Sequence, residues 1–300
     1  MMKRSLALLI AVILTSSIMA CQPNIGLDDD EVYNFLQEGF EKSSEWDNYS
    51  INTLTYVSTE ALEDEKAGGA GGYTEYSTTG DIIISPLKAR IVVSMKLDNM
   101  NSPMVITQYL EKTGNTVDVY QEVSSAWLKY VLEGENLNDL IGVDPMANLA
   151  LIMNYMKKAS YEGEENALNR PTYKIKVEVE GKVFFEQVKK SQEMGLSSYI
   201  KELEKLGVEL ETLGDLTYYI YIDQETMEID KYETDMSNVL HALADKMLEL
   251  EIIDENQGKQ YQTAKMVLKT ELYNQNGVKD FVIDQSIKDA ATEITTIDAL

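Results

Sequence analysis

The sequence predicts an α+β fold: a large antiparallel sheet with helices gathered on one face. Three observations point there. Short runs rich in β-branched and aromatic residues recur between turn formers. Amphipathic helical stretches interrupt them without the regular strand–helix alternation of a parallel sheet. The clearest strands alternate apolar with polar residues, the mark of a sheet that is wet on one side. A hydrophobic fraction of 44% over 300 residues suffices for a sizeable core, and no composition break marks a second domain.

In chain order, the first element is an export leader. Lys3 and Arg4 form a basic start, Leu6 to Leu14 are all apolar, and Thr15-Ser16-Ser17 precede Ile18-Met19-Ala20-Cys21. The apolar run falls short of the roughly 18 residues that a membrane-spanning helix needs. Cys21 is the one cysteine, so there is no internal disulfide, CxxC redox pair or cysteine zinc cluster. Residues 18–21 resemble a lipobox, whose usual form is Leu, a small residue, Gly or Ala, then Cys. That resemblance implies cleavage between Ala20 and Cys21 and acylation of the Cys21 sulfur, palmitate being a typical chain. The expected location is therefore the extracytoplasmic side of the cell membrane, held by lipid. Residues 22–30 (QPNIGLDDD) carry Pro, Gly and an acidic run without periodicity, which reads as a tether. The expected organisation is a signal peptide over 1–20, lipidated cysteine and tether over 21–30, one α+β domain over 31–290 and a polar tail over 291–300.

From Asp30 the spacing of Val32, Phe35, Leu36, Phe40 and Trp46 predicts a helix. Strands are expected at Tyr49–Val57, Gly80–Ser85, Ala89–Leu97, Met104–Leu110, Val117–Tyr120 and Ala126–Leu132. Ala67 to Gly72 (AGGAGG) reads as a hairpin loop. A helix then starts at Asp144 as N-cap, with Pro145 in its first turn, and carries Met146, Leu149, Ile152, Met153 and Met156. Tyr173 to Val179 alternates as a strand, and a helical stretch follows from Val183 to Leu206. Thr217–Ile222 and Met227–Glu233 flank a polar turn and read as a hairpin. Met236, Val239, Leu240, Leu243, Met247 and Leu250 form one helical stripe. The last strand is expected over Gln260–Tyr273, before a turn at Asn274–Gly277 and an extended Val278–Ile283.

Charge and motifs exclude more than they assign. The formal charge is −25, and cleavage would remove two cations and no acid, so the mature chain is more negative still. Such a body repels nucleic acid and anionic headgroups. The Gly-rich patch lacks the Lys-Ser/Thr of a phosphate loop. His241 is the single histidine, so the nitrogen and sulfur sites of catalytic zinc cannot be built, and no GxSxG occurs. Asp98-Asn99-Met100-Asn101 lacks the Gly and Glu of a calcium loop and reads as a polar turn. No catalytic residue, metal site or cofactor is expected. Methionine remains: there are 14, several of them on the two helices that carry Met146 and Met236. Thioether chains adapt to irregular apolar partners, so these helices either fill a core or line a cavity.

Several segments together carry a wider resemblance. They are Trp46-Asp47-Asn48-Tyr49, the set Tyr120, Trp127 and Lys129, the hairpin Tyr219-Ile220-Tyr221-Ile222-Asp223, and Val278-Lys279-Asp280-Phe281-Val282-Ile283. With the lipobox and acidic tether they resemble uncharacterised Firmicute lipoproteins that share the fold of the LolA and LprG lipoprotein carriers. The resemblance implies a curved, incomplete barrel with helices on its concave face that accepts acyl chains. Ile283-Asp284-Gln285, where that group often has Ile-Pro-Glu, departs from the pattern, as does the insertion around residues 60–75. The expectation is a non-enzymatic lipoprotein that binds a lipid or other apolar ligand between sheet and helices. Its expected lining is Leu149, Met153, Met156, Val239, Leu243 and Met247. The alternative is a protein-interaction or sensory domain on a filled core.

Overall fold

The computed structural model describes residues 29–59, 72–98, 100–133, 145–182, 186, 204–208 and 213–294. It opens with α1 (Asp29–Ser44), followed by six strands: β1 (Asn48–Thr59), β2 (Gly72–Ile83), β3 (Lys88–Leu97), β4 (Met104–Thr113), β5 (Thr116–Val123) and β6 (Ala126–Glu133). Then come α2 (Pro145–Asn154), β7 (Met156–Ala167), β8 (Arg170–Val179), β9 (Leu216–Asp223) and β10 (Ile229–Asp235). The last elements are α3 (Ser237–Glu249), α4 (Glu255–Gln262), β11 (Lys265–Tyr273), α5 (Gln285–Ala290) and β12 (Thr292–Glu293). All twelve strands join one sheet in the order β12-β6-β5-β4-β3-β2-β1-β11-β10-β9-β8-β7. Every pairing is antiparallel except β12 on β6, and the edges do not meet, so the sheet is open.

Register makes the two faces chemically different. Side chains alternate along each strand, and the pairings align Tyr49, Ile82, Ala89, Leu110, Val119 and Tyr130 in one row, all buried. Helix α1 lies on this core face. Val32 and Leu36 are fully buried, and Phe35 meets the Tyr173 ring edge-on at 5.0 Å. Gly39 permits the close approach, because a Cβ there would stand 3.1 Å from Ile222 Cδ1. At the end of the helix the Ile229 amide donates to Ser43 Oγ at 2.8 Å, and just beyond it Trp46 Nε1 donates to Glu228 Oε1 at 2.8 Å.

The outer face is held by charge. Lys231 Nζ sits 3.9 Å from the centre of the Tyr221 ring, whose hydroxyl donates to Glu233 at 2.6 Å. A C-terminal strap crosses the same face over β3 to β6. Lys88 pairs with Asp280 at 2.8 Å, Arg90 stacks over the Phe281 ring at 5.5 Å, Ile283 is buried, and Lys288 pairs with Glu111. The strap ends with Thr292 and Glu293 beside Leu128 and Lys129, within the stretch read from sequence as a polar tail.

Several boundaries differ from the sequence reading. Strand β2 begins at Gly72 rather than Gly80, because Tyr-Thr-Glu-Tyr-Ser-Thr-Thr is polar on both faces and lacks apolar alternation. Met156 is not helical: it opens β7, an edge strand with bulges whose composition (MKKASYEGEENA) is that of a solvated segment. Gln260 to Gln262 belong to α4 rather than to the last strand. The missed signal was the capping box, in which Asp254 accepts from the Gln257 amide while the Gln257 side chain accepts from the Asp254 amide. Helix α5 and strand β12 were not anticipated. The expected N-cap Asp144, the patch 67–71 and most of the stretch 183–206 lie outside the described residues.

Candidate functional site: the half-covered core face

Coverage of the core face changes along a single row of the sheet. Strand pairings place Ala159, Val177, Tyr218, Thr234, Leu268, Thr55, Tyr76, Met95 and Met104 side by side from β7 to β4. Val177 is 0% exposed at one end, whereas Tyr76 is 42% and Met104 47% exposed at the other. Leu268, Thr55 and Met95 are half-buried between them. The next row outward, Met266, Val57, Thr74 and Leu97, is half-buried throughout. Among the described residues, the same row is therefore closed under the helices at β7 to β10 and open over β1 to β4.

Two helices border the closed part. Helix α2 buries Ala147, Leu149 and Ile152, and the Tyr232 hydroxyl reaches the Pro145 carbonyl at 3.5 Å. Helix α3 is tied to the start of β11. The Met236 amide donates to the Met266 carbonyl at 2.7 Å, the Met266 amide donates to Ser237 Oγ at 3.0 Å, and His241 Nε2 donates to the Ala264 carbonyl at 2.7 Å. The only histidine thus serves as a strut.

Hydroxyl and amide groups lie on the core face along the inner margin of the open part. Thr53 and Thr270 hydroxyls lie 3.1 Å apart, and Gln108 Nε2 donates to Gln121 Oε1 at 3.1 Å. Tyr130 closes this polar patch at 3.4 Å from Gln121 Oε1, and burial pushes its phenol up to about 12. Burial also raises the Tyr218 phenol, with the nearby Tyr232 adding to it. Gly80 lies in the row of Ile51 and Ile91, where a Cβ would come within 2.5 Å of the Arg90 carbonyl. A larger residue would force β2 and β3 apart beneath the site.

No family model and no curated protein matches the sequence. Similar solved structures include the Mycobacterium tuberculosis lipoprotein LppX, which is 12% identical with a TM-score of 0.42 over 86% of this chain and 100% of that one. LprF from Mycobacterium bovis is 12% identical with a TM-score of 0.43, over 85% and 97%. A LolA superfamily protein from Nitrosomonas europaea is 9% identical with a TM-score of 0.24, over 90% and 99%. These likenesses are of outline alone.

The six lining residues expected from sequence all belong to, or pack against, one apolar cluster, but at different depths. Leu149 is 0% exposed and Val239 9%. Met153 on α2, Met156 at the head of β7, and Leu243 and Met247 on α3 are half-buried against that cluster. The open sheet residues Tyr76, Met95 and Met104 were not anticipated as lining. Ala20 and Cys21 lie outside the described residues. Among the described residues no helix is long and apolar enough to cross a membrane, and no group of three His, Cys, Asp or Glu side chains could hold a metal ion.

Proposed function

We propose that this chain is a non-enzymatic lipoprotein, anchored through acylated Cys21 on the extracytoplasmic side of the cell membrane, that binds a lipid or other apolar ligand between sheet and helices. The ligand lies on the open core face of β1 to β4 and extends toward Met153, Met156, Leu243 and Met247. The observation that carries this reading is the row that runs from fully buried Val177 to half-exposed Met104 on one apolar face. An apolar surface continuous with the core but left uncovered is destabilising in water unless something occupies it. In this reading residues 1–20 are removed, residues 22–30 tether one domain, and the protein is a Firmicute-type lipoprotein.

Protein lacking residues 1–21 and never exposed to detergent is expected to carry a co-purifying lipid in native mass spectrometry, or to take up a fluorescent acyl lipid. A body that carries none and takes up none of a panel of such lipids would rule the binding out. The anchor is tested separately by metabolic labelling with a clickable fatty acid, which should mark the wild type and not Cys21→Ala. The alternative, an interaction or sensory domain on a filled core, is favoured by the complete burial of Leu149 and near-complete burial of Ile152.

A further inference from the structure

Among the described residues, the strand positions of the open core face carry no charge. In the three rows that contain Thr53, Thr55 and Val57, and in the next row from Leu272 through Ile51, Gly80, Ile91, Gln108 and Gln121 to Leu128, every core-facing strand residue is uncharged. Alternate positions of the same strands carry Arg90, Lys96, Lys174, Lys231 and Glu271. Helix α2 contains no charged residue, and Asp245 and Lys246 of α3 are engaged by Gln262 and Glu249. Half-buried Arg170, with the buried Asp223 and Asp230, lies at the opposite ends of β8 to β10, and exposed Lys112 lies beyond the Tyr49 row, away from the opening. The buried phenols of Tyr130 and Tyr218, both raised by burial, stay neutral at physiological pH.

We infer that the ligand of this face is an uncharged amphiphile, with its chains on Val93, Met95 and Leu97 and an oxygen-bearing head against the hydroxyls and amides of Thr53, Thr78, Gln108 and Gln121. This rests on the lipid-binding reading above. A charged head drawn into the face would lose hydration without meeting a counter-charge from the strands that form it. An anionic head would in addition approach a body of formal charge −25. Ester and hydroxyl oxygens carry no such cost, and the threonine and glutamine groups can bond them.

The test uses the full chain in phosphatidylcholine vesicles that contain a trace lipid with photoreactive oleoyl chains. Three heads share those chains: a diacylglycerol, a phosphatidic acid and a trimethylammonium analogue. The diacylglycerol is expected to crosslink at least about tenfold more than either charged form, with adducts on β1 to β4. Thr55→Lys should raise phosphatidic acid labelling relative to diacylglycerol, while Thr55→Val, which preserves shape, should leave the order of the three heads unchanged. If a charged form labels as well as the neutral one in the wild type, the inference falls and lipid binding stands. If none of the three labels the core face, both fall.

Discussion

Asp230 is fully buried on β10, at the irregularity between Ile229 and Lys231 in the β10–β9 pairing, and one of its carboxylate oxygens, Oδ2, has no hydrogen-bond partner among the described residues. Its other oxygen pairs with Arg170, which also serves Asp223 Oδ2 at 3.3 Å, so two buried acids share one guanidinium. Burial pushes the Asp230 carboxyl up to about 7 against the pull of Arg170, and Asp223 and Glu228 push it the same way. An acid raised in the folded state binds a proton there that the unfolded chain has already released above about pH 4. Its contribution to stability is therefore full below about pH 4 and is lost as pH rises through about 7, at a rate on the order of 1 kcal/mol per pH unit. Asp230→Asn cannot ionise and should flatten that part of the profile. Urea midpoints measured across the window for both proteins check this, and parallel slopes would remove Asp230 from the account.

At the scale of elements, the C-terminal strap shows which contacts matter. Its ion pairs are half-wet: the Lys288 and Glu111 side chains are 26% and 24% exposed. Partly solvated pairs of that kind contribute up to about 1 kcal/mol. Ile283 is only 2% exposed, and truncating a buried isoleucine costs about 2 to 5 kcal/mol. Ile283→Ala is therefore expected to lower the urea midpoint well beyond Lys288→Ala, and the reverse order would show that charge rather than packing holds the strap. The same contrast explains which elements were legible in the sequence. Helix α3 shows its stripe through Val239, Leu243 and Met247, and β3 shows alternation through Ala89, Ile91, Val93, Met95 and Leu97, because each buries one face. Strand β7 and helix α4 bury little, so their sequences resemble loops, and only the Asp254/Gln257 capping box betrayed the second. The site divides the same way. Half-buried Met153, Met156, Leu243 and Met247 lie on stripes or next to them, whereas Met104 as an open lining residue depends on register summed over many strand pairs, which no local pattern encodes.

At the scale of the whole molecule, the described sheet sets an uncharged open face against a charged outer face, and that separation distinguishes the two functional readings. The core face of β1 to β4 offers apolar contact, whose strength varies weakly with ionic strength because it depends on removing surface from water. The outer face and the excess of 51 acids over 26 bases offer charge, and interactions between exposed charges are screened as the Debye length contracts from about 10 Å at 0.1 M salt to about 3 Å at 1 M. If the protein carries a neutral lipid, affinity for a fluorescent diacylglycerol should change by no more than about twofold between about 0.1 M and 1 M sodium chloride. If instead it is a docking or sensory body that recognises a cationic partner, retention of that partner should fall by about tenfold or more over the same range, with little lipid bound at either salt. Equilibrium lipid titrations at both salts decide between them. A lipid affinity that collapses in high salt would place the contact on the charged outer face and leave the open row from Val177 to Met104 without an occupant.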